Sequence, residues 1–251
     1  VIRSVYRDWN AEFYFFANDH TYIIPEHLCY YLKDADPDSD MYAGHALKND
    51  KEAFNSGAAG YVLTRNTMRR LIESWDAAKE HCVTNGDKWL QGNPGLVTAK
   101  CLHHTLGVQA IDTREAGKYH RFHAFSMLRM VMGKVDDWYT NKHMKLLDFP
   151  GFDKSYTTLL KGEDCCSAET ISFHYVEWVE NRCIFDVRQA LLQNPAMTDD
   201  ELQHLILQKY PKEWKDLGGY SRLLPKPDED KESWAAFFAL FRKLSLKQYE
   251  M

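Results

Sequence analysis

The chain has 251 residues, with 31 Lys and Arg against 36 Asp and Glu, a formal net charge of −5 and no basic block, which argues against nucleic acid as a partner. Hydrophobic residues make up 45% and aromatic residues 14%, enough to bury a sizeable core, and the length suits one large domain or two small ones. No apolar run approaches the roughly 18 residues of a membrane span, and the start carries no signal-like segment.

The first segment, "VIRSVYRDW", reads as an amphipathic helix, so the chain is expected to begin inside a domain. An apolar strand follows at 12–17. Its C-terminal edge delivers Asn18, Asp19 and His20, which turn the chain or hold a ligand. Pro25 opens the helix "PEHLCYYLKD" at its first turn. The loop "DADPDSD" leads to a short strand, "MYAGHAL", and "NSGAAGYVLT" is a glycine-bearing turn running into another strand. Thr64 or Asn66 caps the amphipathic helix "NTMRRLIESW". Residues 93–107 read as one helix ending at Gly107, and residues 108–162, rich in His, Tyr and Gly, as loops over a site. "TISFHYV" (170–176) reads as a strand in which His174 faces opposite to Phe173 and Tyr175. A helix over 177–193 follows, then one near 198–209, the linker "PKPDEDKES" and a last helix, "WAAFFALFRKLSL". The alternation of strands and helices predicts an α/β fold.

Taken alone, "NDH" is an ordinary turn, the glycines an ordinary loop, and His174 a core histidine. The His-rich set His103, His104, His120 and His123 lacks the H-E-x-x-H spacing of a metalloprotease. G-x-S-x-G, Walker and G-x-G-x-x-G patterns are absent too, which removes the common hydrolase, P-loop and Rossmann readings. Of the six cysteines, Cys165 and Cys166 are adjacent and none has C-x-x-C spacing, so zinc is disfavoured. Reduced thiols and two or three disulfides both remain open.

In order, "FFANDHTYIIPEHLCYYL", "YAGHAL", "NSGAAGYVLTRNTMRRLIESW" and "CCSAETISFHYV" resemble the core 1 β1,3-galactosyltransferases and fringe-like relatives of glycosyltransferase family 31. The last stretch is the most specific, a vicinal Cys pair at fixed distance from "SFHYV". The resemblance covers 1–192, the catalytic part, and leaves 193–251 as a helical C-terminal extension. It implies a GT-A fold, of which this chain would be the C-terminal two-thirds, with part of the nucleotide-binding half preceding Val1. It implies a UDP-sugar donor, Mn²⁺ or another divalent cation, and a glycan or glycoprotein acceptor. It also implies a luminal Golgi setting with a type II membrane anchor outside this chain; a homodimer is compatible with it. The luminal setting favours disulfides, and the resemblance points to Cys82–Cys101 first.

By the resemblance, Asn18 and Asp19 would serve the donor nucleotide together with Gly57 and Gly60, and His20 and His174 would bind the metal. The family's acidic triplet is "NDH" here, which removes a carboxylate and substitutes imidazole, a good ligand for Mn²⁺. The family's Glu-Asp general base falls on Pro94-Gly95, neither of which takes a proton. Asp87 is the nearest upstream carboxylate, and Asp112 lies beyond the helix. Trp89 and Tyr175, with Trp75, Trp138 and Tyr139, are available to stack on an acceptor sugar. Two readings follow: an active inverting transferase with a remodelled site, galactose its favoured sugar and β1,3 its link, or an inactive relative acting as a chaperone or glycan-binding module.

Overall fold

A computed structural model describes residues 2–48, 53–75, 82, 94–134, 136, 139, 145–146, 160, 162–210 and 231–245. The chain forms two compact units. One holds Val1–Asp19, Leu32–Thr113 and Asp136–Asp153; the other holds His20–Tyr31, Arg114–Val135 and Lys154–Met251. The boundary therefore falls inside "NDH", between Asp19 and His20.

In the first unit, helix α1 (Ile2–Asp8) precedes β1 (Phe13–Phe16). Strands β3 (Tyr42–Gly44), β4 (Ala46–Lys48), β5 (Ala53–Asn55) and β6 (Tyr61–Thr64) follow, then α3 (Arg65–Trp75). The apolar β6 is buried along its whole length because antiparallel neighbours β1 and β3 flank it on either side. A second antiparallel sheet runs β5–β4–β8, with β8 at Lys145–Leu146. Thr64 is the cap of α3: its Oγ1 accepts the Thr67 N–H at 3.3 Å and donates to the Ser39 carbonyl at 2.7 Å. The helix predicted over 93–107 divides. It is α-helical in α4 (Pro94–Cys101) and π-helical over Leu102–Leu106, ending at a left-handed Gly107. The changeover falls at Cys101, which is disulfide-bonded to Cys82 as the resemblance implied.

In the second unit, β2 (Tyr22–Ile23) and α2 (Pro25–Leu32) come first. Strand β7 (Phe122–His123) and helix α5 (Met127–Met132) then appear inside the stretch predicted to be loops. Four of the six α5 residues are buried, and Gly133 closes it in a left-handed conformation. A short 3₁₀ turn at Gly162–Asp164 precedes the vicinal disulfide Cys165–Cys166, a pairing the sequence did not suggest. Strand β9 (Ser172–Phe173) and helices α6 (Trp178–Gln193), α7 (Asp199–Lys209) and α8 (Lys231–Ser245) complete the unit. Helix α8 packs on α5, α6 and the 3₁₀ turn, and its Phe237, Phe238 and Phe241 are buried. Lys243 Nζ donates to the Cys166 carbonyl at 2.8 Å, so the C-terminal helix is fastened to the disulfide turn.

Helix α7 begins with a capping box. Thr198 Oγ1 accepts the Glu201 N–H at 3.3 Å, and the Glu201 carboxylate accepts the Thr198 N–H at 2.7 Å. Thr198→Ala removes the first of these bonds and is expected to lower unfolding free energy by about 1 kcal/mol in denaturant titrations.

Candidate functional site

The short sheet of the second unit gathers the site. Strand β9 lies between β2, antiparallel, and β7, parallel, with Tyr22 opposite Phe173 and Ile23 opposite Ser172. Antiparallel pairing sets the residues before β2 beside the residues after β9. His20 and His174, 154 positions apart in the sequence, are therefore brought to the same end of the sheet. The Val176 N–H donates to the His20 carbonyl at 2.9 Å and fixes that approach. His174 does not face away from Tyr175 as strand alternation predicts. Tyr175 has φ +58°, a left-handed conformation unusual for a bulky residue, so the ladder stops at Phe173. The His174 and Tyr175 rings then lie with centroids 3.9 Å apart. Arg129 of α5 stacks over Tyr175 at 5.6 Å and over Phe125 at 5.0 Å.

His174 is only 7% exposed, and its Nδ1 lies 3.3 Å from the Ala124 carbonyl. A carbonyl can only accept a hydrogen bond, so Nδ1 carries the hydrogen and Nε2 keeps a lone pair. Burial pushes the imidazole down to about 4, offset in part by the Ala124 bond and reinforced by the nearby His20. His20 is exposed, and its Nδ1 lies 3.7 Å from Glu177 Oε1. Glu180, one turn into α6, is fully buried, and burial holds its carboxyl well above the ordinary carboxylate range. Glu177, Glu180 and Arg129 escaped the sequence reading. Glu177 had a signal, since it directly follows "SFHYV"; Arg129 had none.

His27, behind the same sheet, is buried with Nδ1 2.6 Å from the Thr170 carbonyl, and burial lowers its pKa also. Both imidazoles are neutral when folded and take up protons when unfolded, below their ordinary value of 6.5. The stability they contribute is complete above that value and is lost as pH falls toward the folded values, about 4 for His174. Thermal midpoints are expected to fall between about pH 7 and pH 4.5, with a shallower slope in His27→Gln.

The first unit contains the other predicted residues. Asn18 and Asp19 are exposed at the end of β1, where the chain turns. Gly60 has φ +86°, and a Cβ there would lie 2.4 Å from the Phe15 ring. Gly57 lies against Gly95 of α4: a Cβ on Gly95 would come within 2.9 Å of the Gly57 nitrogen. Packing and backbone conformation thus account for Gly60, whereas a Cβ on Gly57 would meet only ordinary contact, 3.4 Å from the Gly95 Cα. Tyr139 is buried with its hydroxyl 3.0 Å from His45 Nε2, so it offers no sugar-stacking face, contrary to expectation. Asp87, Trp89 and Trp138 lie outside the described residues.

Among the described residues, no three His, Cys, Asp or Glu side chains gather closely enough to hold a metal ion by themselves. The histidine pair supplies at most two nitrogen ligands. Such a pair fits a divalent cation only if phosphate oxygens of a bound donor complete the coordination.

The mixed helix and sheet architecture is compatible with an α/β glycosyltransferase. No family model matches the chain. It is similar to a curated relative, glycoprotein-N-acetylgalactosamine 3-beta-galactosyltransferase 1 of Xenopus laevis, with 29% identity over 167 residues. The matched stretch is 66% of this chain and 42% of the relative's length, so the chain spans about two fifths of that protein. The similarity agrees with the resemblance carried by the sequence motifs. The disulfides are consistent with a secretory-pathway lumen, and no helix among the described residues is long and apolar enough to cross a membrane.

Proposed function

We propose that the protein is an inverting GT-A glycosyltransferase that moves a hexose, galactose foremost, from a UDP-sugar to a glycan or glycoprotein acceptor, forming a β1,3 link. The observation that carries this reading is the placement of His20 and His174 near one another at the same end of the β2–β9 pair. His174 presents a neutral imidazole whose Nδ1–H is directed at the Ala124 carbonyl, and the Glu177 carboxylate lies 3.7 Å from His20 Nδ1. These two histidines would hold Mn²⁺ or another divalent cation, which neutralises the charge of a leaving nucleoside diphosphate when bound. Asn18 and Asp19 are assigned to the donor nucleotide. A Golgi lumen and a type II anchor outside this chain belong to the same reading.

One observation favours the second reading, an inactive relative that binds glycans or chaperones a partner. The position of the family's acid is occupied by the Gly95 backbone packed on Gly57, which leaves no room for a carboxylate there. UDP-sugar hydrolysis by the purified protein, with and without Mn²⁺, and UDP binding by calorimetry separate the two. Mn²⁺-dependent hydrolysis supports the transferase. UDP binding without turnover supports the inactive relative. Neither binding nor turnover overturns the donor site itself.

A further inference from the structure

The outer face of α6 carries two large aromatic side chains that stay more than half exposed. Trp178 is 66% exposed and Phe185 is 53% exposed. They are seven residues apart, hence on one face of the helix and about 10 Å apart along its axis. Asn181 and Arg182 lie between them, half-buried and exposed respectively. The opposite face, with Val179, Cys183, Ile184, Val187 and Leu191, supplies the buried packing, so the fold does not require aromatic residues outside. The strip also starts at the site. Trp178 directly follows Glu177, whose carboxylate lies 3.7 Å from His20.

We propose that Trp178 and Phe185 form a platform for the neutral sugars of the acceptor, with Asn181 and Arg182 donating hydrogen bonds to their hydroxyls. This rests on the transferase or glycan-binding reading of the adjoining site. Flat indole and phenyl faces suit the apolar C–H face of a pyranose, and amide and guanidinium groups between them suit its rim. The spacing accommodates more than one sugar. Two whole aromatic side chains bury about 300–500 Å² together, and these two, already partly covered, offer less, well short of the roughly 800 Å² per partner of a standard protein interface. A neutral glycan is therefore the better occupant than a second copy of the chain.

The test is calorimetric binding of a peptide carrying N-acetylgalactosamine on threonine, beside the same peptide without sugar. The glycopeptide is expected to bind at least about tenfold more tightly than the bare peptide. Trp178→Ala should remove about tenfold of that affinity, and Trp178→Phe most of the way less. Equal affinity in wild type, Trp178→Ala and Phe185→Ala overturns the platform, as does equal binding of the two peptides. A dimer in sedimentation that these variants dissociate overturns it in favour of a self-interface. UDP-sugar hydrolysis by the wild type is scored separately. Hydrolysis without glycopeptide binding sinks the platform alone; glycopeptide binding without hydrolysis keeps the platform and sinks transfer.

Discussion

His20→Ala and His174→Ala are each expected to lower Mn²⁺-dependent UDP-sugar turnover by about a hundredfold, and to raise the Mn²⁺ concentration needed for half-activation by about tenfold or more. The two variants differ in what else they disturb. His174 is buried and bonded to Ala124, so its removal leaves a cavity and an unsatisfied carbonyl, and a loss of stability accompanies the loss of activity. His20 is exposed, and the Val176 bond uses its backbone carbonyl, which alanine retains. Its replacement should change stability by no more than about 0.5 kcal/mol. A fall in turnover in His20→Ala with an unchanged thermal midpoint therefore reports on the site and not on folding. Unchanged turnover in both variants would sink the metal assignment while leaving the sequence similarity intact.

The opposed placement of these histidines explains what was legible in the sequence and what was not. Helices α2, α3, α6, α7 and α8 carry local signals, such as Pro25 at a first turn or the Thr198–Glu201 box, and their expected spans agree with the structure to within a few residues. Helix α5 carries the weaker Ser126 and Gly133 boundaries, and the surrounding His- and Gly-rich segment obscured them. Strand β9 was read too long because alternation assumes extended backbone, and Tyr175 at φ +58° violates that assumption. The His20–His174 pair came from motif resemblance. Its physical cause, antiparallel pairing of two-residue strands, is a long-range contact that no local pattern displays. Glu177 and Arg129 belong to the same edge for the same reason: the sheet and the helices packed behind it bring them there.

Gly95→Asp, which places an acid where the motif resemblance puts a general base, is expected to destabilise the protein by about 3 kcal/mol and to add no activity. Its Cβ would lie 2.9 Å from the Gly57 nitrogen, 3.1 Å from the Gly57 Cα and 3.2 Å from the Asn55 carbonyl oxygen. All three are backbone atoms, so the clash cannot be relieved by a side-chain rotation. Gly95→Ala isolates the cause. Helix propensity alone predicts that alanine in α4 stabilises by about 1 kcal/mol, whereas the contact with Gly57 predicts destabilisation. Gly57→Ala is the control: the nearest atom to its Cβ is the Gly95 Cα at 3.4 Å, close to ordinary contact, so its effect should be small. Denaturant titrations with the Cys82–Cys101 disulfide intact decide the sign. If Gly95→Asp melts like the wild type and turns over UDP-sugar faster, the Gly57–Gly95 contact yields easily, and the position remains open to a catalytic carboxylate. If it unfolds earlier and stays inactive, the backbone contact has closed the position to any side chain. Any proton acceptor for transfer then has to come from elsewhere in the protein.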